Sequence, residues 1–320
     1  MSDPLLSVRG LVTVFPGPSG PVSPSRGIDL DITPGEAVGL VGESGSGKSV
    51  TARAMVRLVQ PDRAIAAGTL RFEGQDLRAM APARLRLLRG RRIAMVTQDP
   101  AAALNPVMTV GAQLTRLHRL RGSSAAEARQ AAIALLARLR IPAPEQRLAA
   151  YPHEMSGGMK QRVLIAMALI GGPALLIADE PTTALDVTVE AEVLALLAEL
   201  QRDLRMAMLM ISHNLSAIAS LCDRIAVMYA GRIVEQGPTA AVLAAPRHPY
   251  TSALLRSVPQ GSKRDGPLPA IAGEPPNLAA LPPGCAFAPR CPLAAPACAA
   301  EQPLHDLGQY RRAACWRAVA

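Results

Sequence analysis

The chain has 320 residues, 49% of them hydrophobic, and a formal charge of +9. That length and apolar content support one large domain with a small appendage and exclude a disordered chain. The apolar uncharged stretch Val163 to Ala178 is broken by Gly171-Gly172-Pro173. It falls short of the roughly 18 to 20 apolar residues a spanning helix needs, so no transmembrane helix is expected.

Lysine occurs only at positions 48, 160 and 263, so almost all the positive charge is arginine, a bias that a GC-rich genome produces without functional cause. A basic surface suits nucleic acid, an anionic membrane face or a partner subunit alike; solvated arginine is the first reading and membrane proximity the second. The N-terminus, MSDPLLSVRG, has an acidic residue and no apolar h-region before a cleavage site, which predicts a cytoplasmic chain.

In chain order, a strand around Val12 to Phe15 precedes the Pro/Gly-dominated run 16–25, which reads as a surface loop. Glu36 to Val41 reads as a strand after the Pro34-Gly35 turn, followed by a Gly-rich loop and a helix from about Gly47 to Val59. Leu70 to Gly74 reads as a hairpin strand and Arg92 to Thr97 as another, before a mostly helical insertion over about 99–170. Strands return at Ala174 to Ala178 and Met206 to Ile211, with a helix between them marked by Val193, Leu196, Leu197 and Leu200. This alternation predicts an α/β fold with a parallel sheet. From about Gly261 the chain is loop-like, so the domain boundary is placed near 260, with domains 1–260 and 261–320.

Gly42, Glu43, Ser44, Gly45, Ser46, Gly47, Lys48 and Ser49 match G-x-x-x-x-G-K-[ST] between a strand and a helix, the context that separates a phosphate loop from an incidental Gly/Ser loop. Glycines let backbone N–H groups face phosphate oxygens, and the helix N-terminus adds positive potential. Lys48 reaches the β/γ oxygens, and the Ser49 hydroxyl ligates Mg²⁺. The apolar run Ala174 to Ala178 ends in Asp179 and Glu180. Asp179 is placed to hold the metal through water and Glu180 to orient the attacking water. Together these motifs specify a nucleoside triphosphatase.

Between them, Tyr151-Pro-His-Glu-Met-Ser156-Gly157-Gly158-Met159-Lys-Gln-Arg162 resembles the signature sequence of ABC ATPases. The resemblance implies a P-loop ABC ATPase: a RecA-like parallel sheet core, a small antiparallel β subdomain, a helical signature subdomain and a short loop-rich C-terminal extension. It implies that Ser156, Gly157, Gly158 and Met159 complete the ATP site of an opposite subunit at a helix N-terminus. Gln98 resembles the Q-loop residue that contacts Mg²⁺, Thr183 to Asp186 the D-loop with Asp186, and His213 the switch histidine. Phe15 stands where the family places an adenine-stacking aromatic.

Over residues 5–259 the likeness narrows to peptide-importer ATPases through Gln98-Asp-Pro, Leu104-Asn-Pro106, Met-Tyr-Ala-Gly231-Arg and His248-Pro-Tyr250-Thr-Ser-Ala-Leu-Leu. Two departures are Met159, where many signatures carry Gln, and Asn214, where Asp is commoner after the switch histidine. Met159 occurs in one of the two peptide-importer ATPase types, which implies a heterodimer with a second related ATPase, a homodimer remaining open. The resemblance further implies two transmembrane permease subunits, an extracytoplasmic solute-binding protein acting indirectly, no nucleic acid, and a peripheral place on the cytoplasmic face of the inner membrane. A soluble ABC ATPase acting on ribosomes or DNA is the alternative class. One compact cassette without long coiled coils speaks against it. A nickel importer is the alternative within transport.

Cys285, Cys291, Cys298 and Cys315 gather within 31 residues of a chain expected in the cytosol, where metal binding is a stronger reading than disulfides. The spacing lacks C-x₂-C pairs, and by itself it leaves zinc and iron–sulfur both open. Gly284-Cys-Ala-Phe-Ala-Pro-Arg-Cys-Pro292 resembles the extension of peptide-importer ATPases, which implies a 4Fe-4S cluster on these cysteines, with Zn²⁺ as alternative. Cys222 reads as a small buried side chain.

Overall fold

The computed structural model describes residues 3–18, 20–59, 64–119, 122–183, 185–258 and 270–318. The boundary expected near 260 lies outside the described residues, as does Ala184 of the expected D-loop. The chain forms two compact units. The first comprises Met1–Thr33, Ala37–Arg78 and Met210–Ala320, the second Pro34–Glu36 and Ala79–Leu209.

In chain order the strands are β1 (Leu6–Phe15), β2 (Val22–Ile32), β3 (Ala37–Val41), β4 (Ile65–Phe72), β5 (Gln75–Asp76) and β6 (Ile93–Val96), followed by β7 (Leu175–Asp179), β8 (Ala207–Ser212), β9 (Arg224–Tyr229), β10 (Arg232–Pro238), β11 (His305–Asp306) and β12 (Arg312–Ala313). The chain passes from the second unit to the first within β8.

In the first unit β2-β1-β4-β5 form an antiparallel sheet. Its alternating apolar residues, Leu6, Val8, Leu11, Ile28, Leu30 and Ile32, are buried, as period-2 patterning dictates. The expected loop 16–25 is shorter than the sequence suggests, because Val22 to Ser25 belong to β2. That strand is at the sheet edge, and its register jumps between Thr13↔Ser25 and Phe15↔Val22. Pro24 therefore sits at an irregularity where no ladder N–H is required.

The unit's other strands run β11-β12-β10-β9-β3. β3 and β9 are parallel, with every β3 residue buried, and β9 and β10 form a hairpin. Its turn residues, Ala230 and Gly231, have φ of 46° and 81°, the left-handed values that a two-residue hairpin of matching twist needs. The C-terminal extension joins this sheet: β12 pairs with β10 through Glu235↔Ala313 and Gln236↔Arg312. Apart from β11, which pairs with β12, the rest of the extension among the described residues is loop with 3₁₀ turns at Ala288–Arg290, Pro296–Ala299 and Trp316–Ala318.

The second unit orders its strands β8-β7-β6, with β6 and β7 parallel, and carries the helical insertion. The helix Ala125–Arg138 starts at a capping box, in which Ser124 and Glu127 each accept the other's backbone N–H. It buries Ala128, Ala132 and Leu136, a stripe at four-residue spacing. The helix Val187–Leu204 is capped by Asp186 and buries Val193, Leu196, Leu197 and Leu200. The strands observed at Ile93–Val96, Leu175–Asp179 and Ala207–Ser212 are within a residue or so of those expected.

Candidate functional site

In the first unit the phosphate loop links β3 to the helix Lys48–Met55. Gly42 has φ 154° and Gly47 φ 100°. A Cβ would lie 2.1 Å from the Met228 carbonyl oxygen at the first and 2.0 Å from that of Pro24 at the second. Neither close approach admits a side chain. The helix begins at Gly47 with no side-chain cap, and its N-terminus carries the positive end of the helix dipole. Lys48 is buried and its ammonium donates to the carbonyls of Gly42 (2.8 Å) and Glu43 (2.9 Å). The Ser46 hydroxyl is buried without a hydrogen-bond partner, while Ser44 and Gly45 are exposed at the loop tip. A loop of crowded glycines, an unspent buried hydroxyl and an uncapped helix fits a phosphate group. Ser49 lies in the first helical turn and Phe15 at the end of β1, both half-buried.

Glu43 is fixed at every polar group. Its N–H donates to the Tyr250 hydroxyl (2.7 Å), its carbonyl accepts from Lys48, and its carboxylate receives the guanidinium of Arg290 in two bonds of 2.7 and 3.0 Å. Arg290 lies in the extension, next to Cys291. Its charge is reinforced, the pKa rising above the usual arginine value through the bond to Glu43. Tyr229, Tyr250 and Phe287 form an aromatic cluster beneath, with centroids 4.5 to 5.4 Å apart. Burial raises the pKa of both tyrosines. Sequence reasoning singled out no role for Arg290, Tyr229 or Phe287; the one signal was that FAPR stands between two cysteines and HPYT follows β10.

In the second unit, β7 ends in Asp179, which is buried, and Glu180, which is half-buried at φ 49°. That left-handed backbone is uncommon for a residue with a side chain, and it turns Glu180 out of the strand line. Its carboxylate accepts from the Thr183 hydroxyl (2.8 Å) and from the Gln98 amide (3.4 Å), so the structure brings Gln98 and Glu180 together. Asp186 is exposed and caps the helix Val187–Leu204 by accepting from the N–H of Val189 at 3.0 Å. Ser156 caps the helix Gly157–Leu169 in the same way, through the N–H of Met159 at 3.3 Å. Ser156 and Gly157 are exposed, so this helix N-terminus is presented outward. In the first unit His213 is exposed directly after β8, and Asn214 caps the helix Leu215–Leu221.

The chain matches the family described as ABC transporter over residues 25–183, and the oligopeptide/dipeptide transporter C-terminal region over 234–298. It is 46% identical over 320 residues to a probable peptide ABC transporter ATP-binding protein of Sinorhizobium fredii, covering 99% of this chain and 96% of that one. The chain belongs to the ABC transporter ATPase family. A putative peptide import ATP-binding protein of Brucella abortus is 47% identical over 276 residues, 85% of this ABC ATPase and 82% of the relative. Among solved structures, cbiO1 of Clostridium perfringens, part of the ABC transporter complex cbiONQ, aligns with TM-score 0.65 and 28% identity over 76% of this chain and 92% of that one. A bacterial ABC transporter cassette solved as a dimer shares the fold, with TM-score 0.66, 24% identity, and coverage of 73% and 98%.

The cysteines of this ABC ATPase differ from the expectation. All five are free, and among the described residues no group of three or more His, Cys, Asp or Glu stands in metal-holding geometry. The ligand set expected from Cys285, Cys291, Cys298 and Cys315 is thus not assembled. Burial pushes the Cys285 and Cys291 thiols up, and Cys298 raises both further, so neutral thiols pack where thiolates would repel. They are nonetheless neighbours: the N–H of Cys285 donates to the Cys298 carbonyl at 2.9 Å. Cys222 is buried as expected, its thiol pushed up to about 12 by desolvation.

Proposed function

We propose that this ABC ATPase hydrolyses ATP to energise a peptide importer, docked on two permease subunits at the cytoplasmic face of the inner membrane. The observation that carries the reading is the near full-length likeness to proteins named for peptide import, together with the matched oligopeptide/dipeptide C-terminal region.

The loop N–H groups from Gly42 to Ser49 and the Lys48 ammonium hold the phosphates, and Phe15 stacks on adenine. Ser49 in the first unit, and Gln98 and Asp179 in the second, would each serve as a ligand to Mg²⁺, which when bound would supply charge neutralisation to the phosphates. Glu180 orients the water that attacks the γ-phosphorus, and His213 donates to the γ-phosphate. Ser156, Gly157, Gly158 and Met159 offer their helix N-terminus to the nucleotide of a second, related ATPase subunit, with Asp186 in the D-loop. Closure of the pair drives the permease because ATP binds the closed state more tightly. An extracytoplasmic binding protein supplies the solute, and nucleic acid has no part.

In the extension, Cys285, Cys291, Cys298 and Cys315 supply donors of the right chemistry for a 4Fe-4S cluster or Zn²⁺. Anaerobic purification followed by iron, sulfide and zinc analysis tests this; protein without any of the three sinks it. ATP hydrolysis with and without the permease tests the main reading. Stimulation by permease supports it, and activity raised only by ribosomes or DNA overturns it.

A further inference from the structure

We infer that Arg290 is a positioning residue of the phosphate loop, reaching from the C-terminal extension to neutralise the Glu43 carboxylate and hold it turned away from the phosphate site. The inference rests on the nucleotide-binding reading. Glu43 places a carboxylate inside a loop meant for a polyanion, which is unfavourable unless that charge is neutralised and turned away. The Arg290 fork does both, with two parallel bonds of 2.7 and 3.0 Å. Its side chain is 6% exposed and that of Glu43 22%, so solvent screens the pair weakly.

The guanidinium cannot drift. It donates to the carbonyls of Ala272 (2.9 Å) and Ile271 (3.3 Å) and to the Tyr229 hydroxyl (3.3 Å), and it lies 5.9 Å from the Tyr229 ring centroid. The Glu43 carbonyl in turn accepts from the Lys48 ammonium at 2.9 Å. Pro275, Pro276 and Leu278 add a wall, enclosing a cleft of about 60 Å³ with Glu43 to Ser46. The extension thereby fixes the carboxylate that the loop carries.

A tail anchor alone would change stability and leave nucleotide affinity untouched. Positioning makes a different claim: Arg290→Met leaves a bare carboxylate beside the phosphates, and removing that carboxylate as well restores affinity. MgATP binding to the full chain is measured by calorimetry for the wild type, Arg290→Met, Arg290→Lys and Arg290→Met/Glu43→Gln, with melting curves for each. Arg290→Met is expected to bind about tenfold more weakly and Arg290→Lys about threefold, with the double variant returning to within about threefold of wild type. Unchanged affinity in a folded Arg290→Met, or a double variant no better than the single, overturns the inference. If Arg290→Met does not fold, Arg290→Lys decides, and wild-type affinity in it overturns the inference. Failure of the wild type to bind MgATP would instead sink the nucleotide reading.

Discussion

Gln98 and Glu180 share one polar contact, the Gln98 amide lying 3.4 Å from a carboxylate oxygen that also accepts from the Thr183 hydroxyl at 2.8 Å. The carboxylate just after β7 is therefore held by a residue shortly after β6 and by its own turn. Glu180→Gln keeps size and most hydrogen bonds but removes the carboxylate charge proposed to orient the attacking water. Hydrolysis is expected to fall by at least about 100-fold with MgATP affinity retained, read by phosphate release and calorimetry. Hydrolysis within a few-fold of wild type would remove Glu180 from the chemistry.

The parts of this site that local sequence dictates were legible. A phosphate loop, a strand ending in acids and a capped signature helix each need only neighbouring residues. What escaped was contact at long range. Arg290 and Glu43 are 247 positions apart, and nothing periodic links them. The strands β11 and β12 have two residues each, too few to display alternation, so the extension's attachment to β10 was invisible. Pro24 argued for loop because sequence does not reveal an edge position. The cysteine ligand set was implied by family likeness alone, and among the described residues no group of three or more such donors stands in metal-holding geometry.

The two signature glycines separate structure from function. A Cβ on Gly158 would lie 2.7 Å from a Val189 methyl, whereas one on Gly157 meets only a Leu185 methyl at 4.0 Å. Gly157→Ala is expected to keep or raise the melting temperature, since alanine favours a helix by about 0.5 to 1 kcal/mol. It should still reduce hydrolysis by about tenfold or more, because a methyl group obstructs the N–H groups offered to a second subunit's nucleotide. Gly158→Ala should lower both stability and activity. Wild-type hydrolysis in Gly157→Ala would mean that the exposed helix end meets no nucleotide.

Tyr250 supports the phosphate loop from below, through a hydroxyl that accepts the Glu43 N–H. Tyr250→Phe preserves the aromatic packing with Tyr229 and Phe287 and removes only that acceptor. Stability should drop by about 1 to 3 kcal/mol, the cost of a backbone donor left without its partner. Denaturant unfolding checks the figure. An unchanged midpoint would show that the N–H finds water instead.

His248 makes stability depend on pH. Its Nδ1 accepts the Tyr250 backbone N–H at 3.1 Å, its own backbone N–H donates to the Glu235 carboxylate at 2.8 Å, and burial lowers the imidazole pKa from 6.5 to about 4. The unfolded chain therefore binds a proton near pH 6.5 that the folded chain refuses until about pH 4. Between these values the unfolded state holds more protons, so stability is full above the upper value and declines as pH falls toward the lower. The contribution lost across that window is about 3 kcal/mol. His248→Asn retains a helix-capping acceptor that does not titrate and should flatten the decline. Urea unfolding from pH 7.5 to 4.5 compares the two slopes, and equal slopes would mean that His248 titrates alike in both states.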